Sequence, residues 1–434
     1  MKSPIIFIIK HVAYLIIAIM LVSCSTAKEN ENKVIDIAGA LSNARVANLS
    51  EIAEDITYIP LQTTENSVVG EMFGVIRPML FEKETFILFD NNKVFKLFDK
   101  DGNFKTTIDH NGRGPQEYAF PTKAGYNYNT GRLFVSDAVG DICEYTFDGD
   151  FVYRVKVPAE TENRRIGVST FMTNGNYICS IGITEELDGT PPVDKSVLAY
   201  VYDKDSKVIG KILNRDTTSA VGKVKRGSTT VDGSVVQFVA VSARLLQTYS
   251  YQNKTRATIS GENVIYNLNE QYQIDSIYIF NLGEYAPTPE TESQMFNQDI
   301  EIINNIMTGL ESDNQIFLWL NLRGLYKKYL SPVTTGAGTV ATTMAYGYFD
   351  KKKGETVIMK EPSEGMRGFK DDLKGGPAFW PKSITSDGKY MVGYIDAIKF
   401  ITYAEDNDCP ENIKKMAENI DENDNPIAIL VKLK

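Results

Sequence analysis

A strand-and-turn phrase that returns after 47 residues constrains this chain more than any other feature. Leu88-Phe89-Asp90 leads on to Phe98-Asp99-Lys100-Asp101-Gly102-Asn103-Phe104, and Phe134-Val135-Ser136-Asp137 leads on to Thr146-Phe147-Asp148-Gly149-Asp150-Phe151. The aspartates stand at 90 and 137 and the turn glycines at 102 and 149, so both parts of the phrase move by 47 together. A unit of ~40–50 residues is the period of small sheets repeated radially about an axis. Within the phrase, Thr85 to Phe89 and Val94 to Phe98 are rich in aromatic and branched residues, and each run stops at Asp, Asn or Gly. That is a β-hairpin, and Asp101-Gly102 is a tight turn into an alternating outer strand, Asn103 to Ile108.

One blade is thus expected from about Phe73 to Ile108 and a second from Ala124 to Val157. Hairpins of the same kind recur at Val197 to Val201, at Asn263 to Leu268 with Gln273 to Phe280, and at Ala345 to Phe349 with Glu355 to Met359. The sixth is split: Asp387-Gly388 separates a strand near Ile384 from Tyr390 to Ile395, and Ile427 to Leu433 follows. A lone strand, Ile56 to Leu61, lies upstream of the first blade, and pairing it with the last would remove a free sheet edge. The expected fold is all-β, a six-bladed β-propeller closed by its N-terminal strand. Insertions are expected at Thr184 to Val193, Asn214 to Gly233, Glu284 to Asn314 and Ser331 to Thr343, and Phe296, Ile300, Ile303 and Met307 have the spacing of a short helix.

The N-terminus speaks to the compartment. Lys2 and Lys10 precede an apolar run from Val12 to Val22, which ends at Leu21-Val22-Ser23-Cys24. This resembles a bacterial lipobox, which implies a lipoprotein signal over 1–23, lipid attachment at Cys24, a tether and N-terminal segment over 24–50, and the propeller over 51–434. The polar stretch with Lys28, Glu29 and Glu31 resembles that of surface-exported lipoproteins of Bacteroidetes. The expected location is the cell envelope, as an outer-membrane lipoprotein on the periplasmic or exposed side.

The chain carries 46 basic and 56 acidic residues, a net charge of −10. An acidic balance without clustered cations disfavours nucleic acid as a partner. Cys143, Cys179 and Cys409 are widely spaced and form no metal motif or disulfide framework. With His11 in the signal, His110 alone remains, so sites needing several histidines are excluded.

His110 opens a loop that reads Gly112-Arg113-Gly114-Pro115-Gln116-Glu117-Tyr118. With Asp101-Gly102 before it, with Gly375-Gly376-Pro377-Ala378-Phe379-Trp380-Pro381-Lys382, and with the closing Glu422-Asn423-Asp424-Asn425-Pro426-Ile427, this resembles the G-x-G-P-x-E-Y signature of the six-bladed, NHL-like β-propeller lipoproteins of Bacteroidetes. The family is defined by architecture, so the resemblance implies a fold rather than a reaction. Two roles are open for the loop. Arg113 and Glu117 tie blades together, or Arg113, Glu117 and Tyr118 hold a ligand carboxylate or sugar hydroxyls. Trp380 is either an aromatic platform for a sugar ring or a wedge between blades.

Asp90, Asp137 and Asp396 end equivalent strands and therefore share a face, where a ring of carboxylates would hold Ca²⁺ as in six-bladed lactonases; an Asp capping its own turn explains the recurrence as well. Apart from such an ion, no cofactor is expected. Three functions follow: a lipid-anchored binding or scaffold module engaging a glycan, peptide or envelope protein; a lactonase- or lyase-like enzyme with a channel-bound divalent cation; and a structural part of an outer-membrane assembly. The first accounts best for the anchor, the acidity and the lack of a catalytic cluster.

Overall fold

The computed structural model describes residues 33–434 except 71–78, 138–139, 157–166, 173, 183–194, 216–223, 232–233, 242–243, 294–298, 332, 336–337 and 341–342. Cys24, Phe296 and the expected insertion at 184–193 lie outside the described residues. Six antiparallel blades stand in chain order, each numbered from its innermost strand outward. Blade 1 is Leu80–Glu82, Thr85–Phe89, Phe95–Asp99 and Phe104–Ile108, and blade 2 is Pro121–Asn127, Arg132–Asp137, Ile142–Tyr145 and Phe151–Val155. Blade 3 is Gly167–Phe171, Tyr177–Ile181, Val197–Tyr202 and Val208–Leu213; blade 4 is Leu246–Tyr251, Lys254–Ile259, Val264–Leu268 and Ile274–Asn281. Blade 5 is Ile302–Glu311, Gln315–Arg323, Met344–Asp350 and Glu355–Ile358. Blade 6 runs Ser383–Ile384, Tyr390–Ile395 and Ile427–Leu433, and its outer strand is the N-terminal Ala53–Pro60.

The seam is closed as its sequence suggests. Ile56 lies opposite Val431 and Tyr58 opposite Ile429, so the first part of the fold completes the last blade. The segment before it is a belt. Lys33–Asp36 adds a fifth strand to the outer edge of blade 4, and helix α1, Ile37–Ser42, follows with Asp36 capping it through Gly39 N at 3.1 Å. Arg45 then bridges to Met359 beyond blade 5, and Asn48 to Lys370. One continuous stretch thus binds the outer edges of three neighbouring blades.

The interior is six wedges rather than one core. Separate clusters of buried side chains fill the interfaces, from Leu80, Phe89 and Val135 between blades 1 and 2 around to Phe86, Val392 and Ala428 between blades 6 and 1. Alternation explains this, because each strand sends successive residues to opposite faces and both faces of a blade are covered. A second device joins neighbours at three junctions, 6–1, 1–2 and 2–3, where the chain leaving an outer strand meets the next blade's outer hairpin turn. Gln62 N donates to Gly102 O at 2.8 Å, His110 Nε2 lies 2.7 Å from Gly149 O, and Lys156 N donates to Ser206 Oγ at 2.9 Å. A Cβ on Gly102 would stand 2.3 Å from the Pro60 carbonyl, so this turn has no room for a side chain.

One expectation fails. The spacing of Ile300, Ile303 and Met307 predicts a helix, but Ile302–Glu311 is the ten-residue inner strand of blade 5, paired with Gln315–Arg323. Its alternation is disguised by two register shifts, at Ile303/Asn305 and Thr308/Leu310, which displace the apolar positions toward helical spacing. Helices occur elsewhere: α2 is Pro289–Ser293, and a pair, α3 (Ala397–Asp406) and α4 (Glu411–Glu418), fills the connection after Tyr390–Ile395. Among the described residues no helix is long and apolar enough to cross a membrane.

Candidate functional site

Antiparallel topology distributes the connections unequally. Links from the first to the second strand and from the third to the fourth are tight turns, such as Lys83-Glu84 and Lys100 to Asn103. The links at the opposite strand ends carry the length: Arg323 to Met344, Ile395 to Ile427, Leu213 to Leu246 and Ile358 to Ser383. One face of the propeller therefore bears the loops, the short sheets Val224–Val231/Ser234–Val241 and Val333–Thr335/Gly338–Val340, and the α3–α4 pair.

Asp90 and Asp137 lie on this face at the ends of equivalent strands, and their carboxylates are occupied. Asp90 accepts from Gly70 N and Asn92 N, both at 2.9 Å, and Asp137 accepts from Phe120 N at 3.0 Å and Ala119 N at 3.3 Å. Each pins the segment that enters the inner strand of its blade. Asp396 precedes α3 and pairs with Lys399 Nζ at 2.6 Å. The three are not brought together, and among the described residues no group of three His, Cys, Asp or Glu side chains gathers to hold a metal.

The Gly112 to Tyr118 loop is sewn between blades 1 and 2. Tyr118 is buried; its OH donates to Lys93 O at 2.7 Å and its N to His110 O at 2.9 Å. The Glu117 carboxylate accepts from Gly114 N at 2.7 Å and fills the space above Gly112, where a Cβ would collide with it. Tyr145 OH donates to Gln116 O at 2.9 Å, and the Tyr145 ring stacks on His110 with centroids 4.4 Å apart. The guanidinium that reaches the loop's carbonyls is that of Arg154, which donates to Glu117 O and, at 3.1 Å, to Cys143 Sγ; Arg113 is exposed. Arg113, Glu117 and Tyr118 therefore do not converge on one point.

Trp380 sits between blades 5 and 6. Its ring stacks on Tyr346 at 4.2 Å and meets Phe317 and Trp319 edge-on, with only 6% of its surface exposed. Sequence reasoning did not assemble these partners, because they lie on strands far apart in the chain.

Two further features were missed. A cleft of about 600 Å³ opens at the seam, between α4 and the residues that leave the outer strand of blade 6. Leu61, Met416 and Ile420 form its apolar part, and Thr63, Asn412 and Lys415 are among its polar groups. The spacing of Ala397, Phe400 and Ala404, then Pro410 before Ile413, is the signal that could have announced the helices beside it. The second is a charge cluster joining blades 4 and 5. Glu311, whose side chain is wholly buried, accepts from Arg256 Nε at 3.0 Å, Lys351 Nζ at 2.7 Å and Tyr249 OH at 3.2 Å. Burial pushes the Lys351 ammonium below its ordinary value although Glu311 opposes this.

Six closed blades with one decorated face define the class: a six-bladed β-propeller. The chain belongs to the DUF4934 family, described as a domain of unknown function, whose profile matches residues 32–432. Among solved structures it is similar to a Bacteroides fragilis protein named as exported, at 16% identity and a TM-score of 0.61, over 92% of this chain and 99% of that one. A member of the DUF4221 family from Bacteroides vulgatus aligns at 10% identity and a TM-score of 0.43, over 88% and 97% of the two chains. Virginiamycin B lyase from Staphylococcus aureus aligns at 12% and 0.34, over 73% and 77%. No curated protein matches the sequence.

Proposed function

We propose that this protein is a lipid-anchored binding or scaffold module of the cell envelope, which engages a glycan, peptide or protein through its loop-bearing face. The observation that carries the reading is the asymmetry of the propeller: long connections, the helix pair and the seam cleft gather at one set of strand ends, while the other set is closed by short turns. Loops on a rigid scaffold are where recognition is built. A cleft with an apolar part and a few polar groups around it suits an amphipathic ligand, a sugar or a peptide segment, better than a bare ion. The lipobox-like Leu21-Val22-Ser23-Cys24 supports an anchor, and the exported Bacteroides neighbour of the same fold is compatible with it. The cation-dependent enzyme draws no support from Asp90, Asp137 and Asp396, whose carboxylates are engaged separately by backbone amides and by Lys399.

The test is crosslinking of the lipidated protein in isolated envelopes, followed by purification of what it holds. A partner lost when Asn412 and Lys415 are both changed to Ala, with the fold intact, supports the cleft; a partner captured equally by that variant refutes it. Cys24→Ala should abolish acylation and membrane partitioning, and full retention of that variant in membranes after alkaline extraction would overturn the anchor.

A further inference from the structure

The inner strands of the six blades carry three charged residues among the described positions: Glu82, Lys123 and Glu311. Both acids have donors on a neighbouring blade. Glu82 accepts from Ser386 N at 2.7 Å and Ser386 Oγ at 2.6 Å, and Glu311 is held by Arg256 and Lys351. Lys123 differs. Its ammonium donates to Thr170 Oγ1, at 3.1 Å on the inner strand of blade 3, and among the described residues it meets no carboxylate. A half-buried ammonium held by one neutral hydroxyl keeps spare donors and, among the described residues, no counter-charge, so a negatively charged acceptor would complete it. Burial lowers its pKa to about 8, so it is still mainly charged at neutral pH.

A second group beside it is also incomplete. Ser136 lies opposite Lys123 in the strand register, so the two side chains share the face of blade 2 that looks toward blade 3. Ser136 is fully buried, and among the described residues its hydroxyl has no hydrogen-bond partner. Native proteins seldom leave such a group unmatched unless something else completes it. A cation with spare donors and an unpaired hydroxyl, adjacent on one face, lack the same thing: an acceptor bearing negative charge.

We propose that blades 2 and 3 form an oxyanion-binding site at their axial edge, in which Lys123 and Ser136 donate to one small oxyanion and Thr170 orients the ammonium. The ligand class is a carboxylate or a tetrahedral inorganic anion, and this site is separate from the seam cleft beside α4.

The experiment is titration calorimetry of the whole mature protein with acetate, and separately with inorganic phosphate, at constant ionic strength set by sodium chloride. Saturable binding of either anion is expected, and which one binds assigns the class. Lys123→Met should weaken it at least tenfold, since a charged hydrogen bond is lost. Ser136→Ala removes a hydroxyl that bonds nothing among the described residues, so it should weaken binding several-fold while leaving the melting temperature in chloride unchanged; it also serves if Lys123→Met fails to fold. Absence of saturable binding by the parent, or undiminished binding by Ser136→Ala, overturns the site.

Discussion

Single residues carry much of the load at the blade interfaces, and Glu311 is the sharpest instance. With three donors converging on one buried carboxylate, Glu311→Gln keeps the shape but leaves Arg256 and Lys351 facing each other without a counter-charge. Breaking a buried pair from one side costs ~3–5 kcal/mol, so denaturant unfolding of Glu311→Gln should show a loss of that order. Glu311,Lys351→Gln,Met should recover part of it, because one of the stranded cations is gone. The Gly112 to Tyr118 loop gives a contrast between two arginines. Arg154 reaches the carbonyl of Glu117 from the next blade, so Arg154→Ala should cost ~1–3 kcal/mol, whereas exposed Arg113→Ala should stay within ~0.5 kcal/mol of the parent. Equal losses in parallel urea titrations would show that Arg113 shares the tie.

At the scale of elements, legibility followed backbone chemistry. Blades 1 and 2 were readable because their outer turns use glycine at positive φ, 87° at Gly102 and 94° at Gly149. Blades 3 and 4 keep the same turn conformation with Ser206 at 65° and Tyr272 at 61°, so the conformation persists where the glycine signal is lost. The strand at Ile302–Glu311 was hidden by its bulges, and the α3–α4 pair was passed over although Phe400 and Ile413 mark its inner faces. Of the candidate site, the aspartates and the glycine-rich loop stood out as motifs because they recur or punctuate. The Trp380 cluster, the Glu311 cluster and the seam cleft come from residues far apart in sequence, and only the closed ring brings them together. The seam strand was legible, and it can be tested directly. Deleting Thr57 to Leu61 removes half of the strand paired with Ile427–Leu433 and exposes a sheet edge, so that variant should melt much lower or aggregate. A monomeric variant with the parent's melting temperature would place the closure elsewhere.

For the whole molecule, the belt makes stability depend on acid in a definite direction. Burial works to raise the Glu51 carboxyl, but paired hydrogen bonds from Arg45 at 2.7 and 2.6 Å outweigh it and hold the group below its ordinary value. Asp372, which accepts from Ser50 N at 2.9 Å, is likewise lowered by its hydrogen bonds against the effect of burial. A carboxyl lowered on folding stabilises the native state above its unfolded value and loses that contribution as pH falls through the native one. Melting temperature should therefore drop as pH is taken from about 5 down through the carboxylate range. Glu51→Gln should flatten the drop, and an identical profile for the variant would refute the assignment. The seam strand that follows the belt sets a schedule for synthesis. The strand Ala53–Pro60 leaves the ribosome early, but its partner Ile427–Leu433 is polymerised roughly 375 residues later, some 20–75 s at ~5–20 residues per second. Blades 1 to 5 can form while it waits; the sixth cannot. Its apolar positions, Ile56 and Tyr58, stay without their native cover for that whole interval, so the element that removes the free edge from the finished ring is the one most exposed to misassociation while the ring is being made.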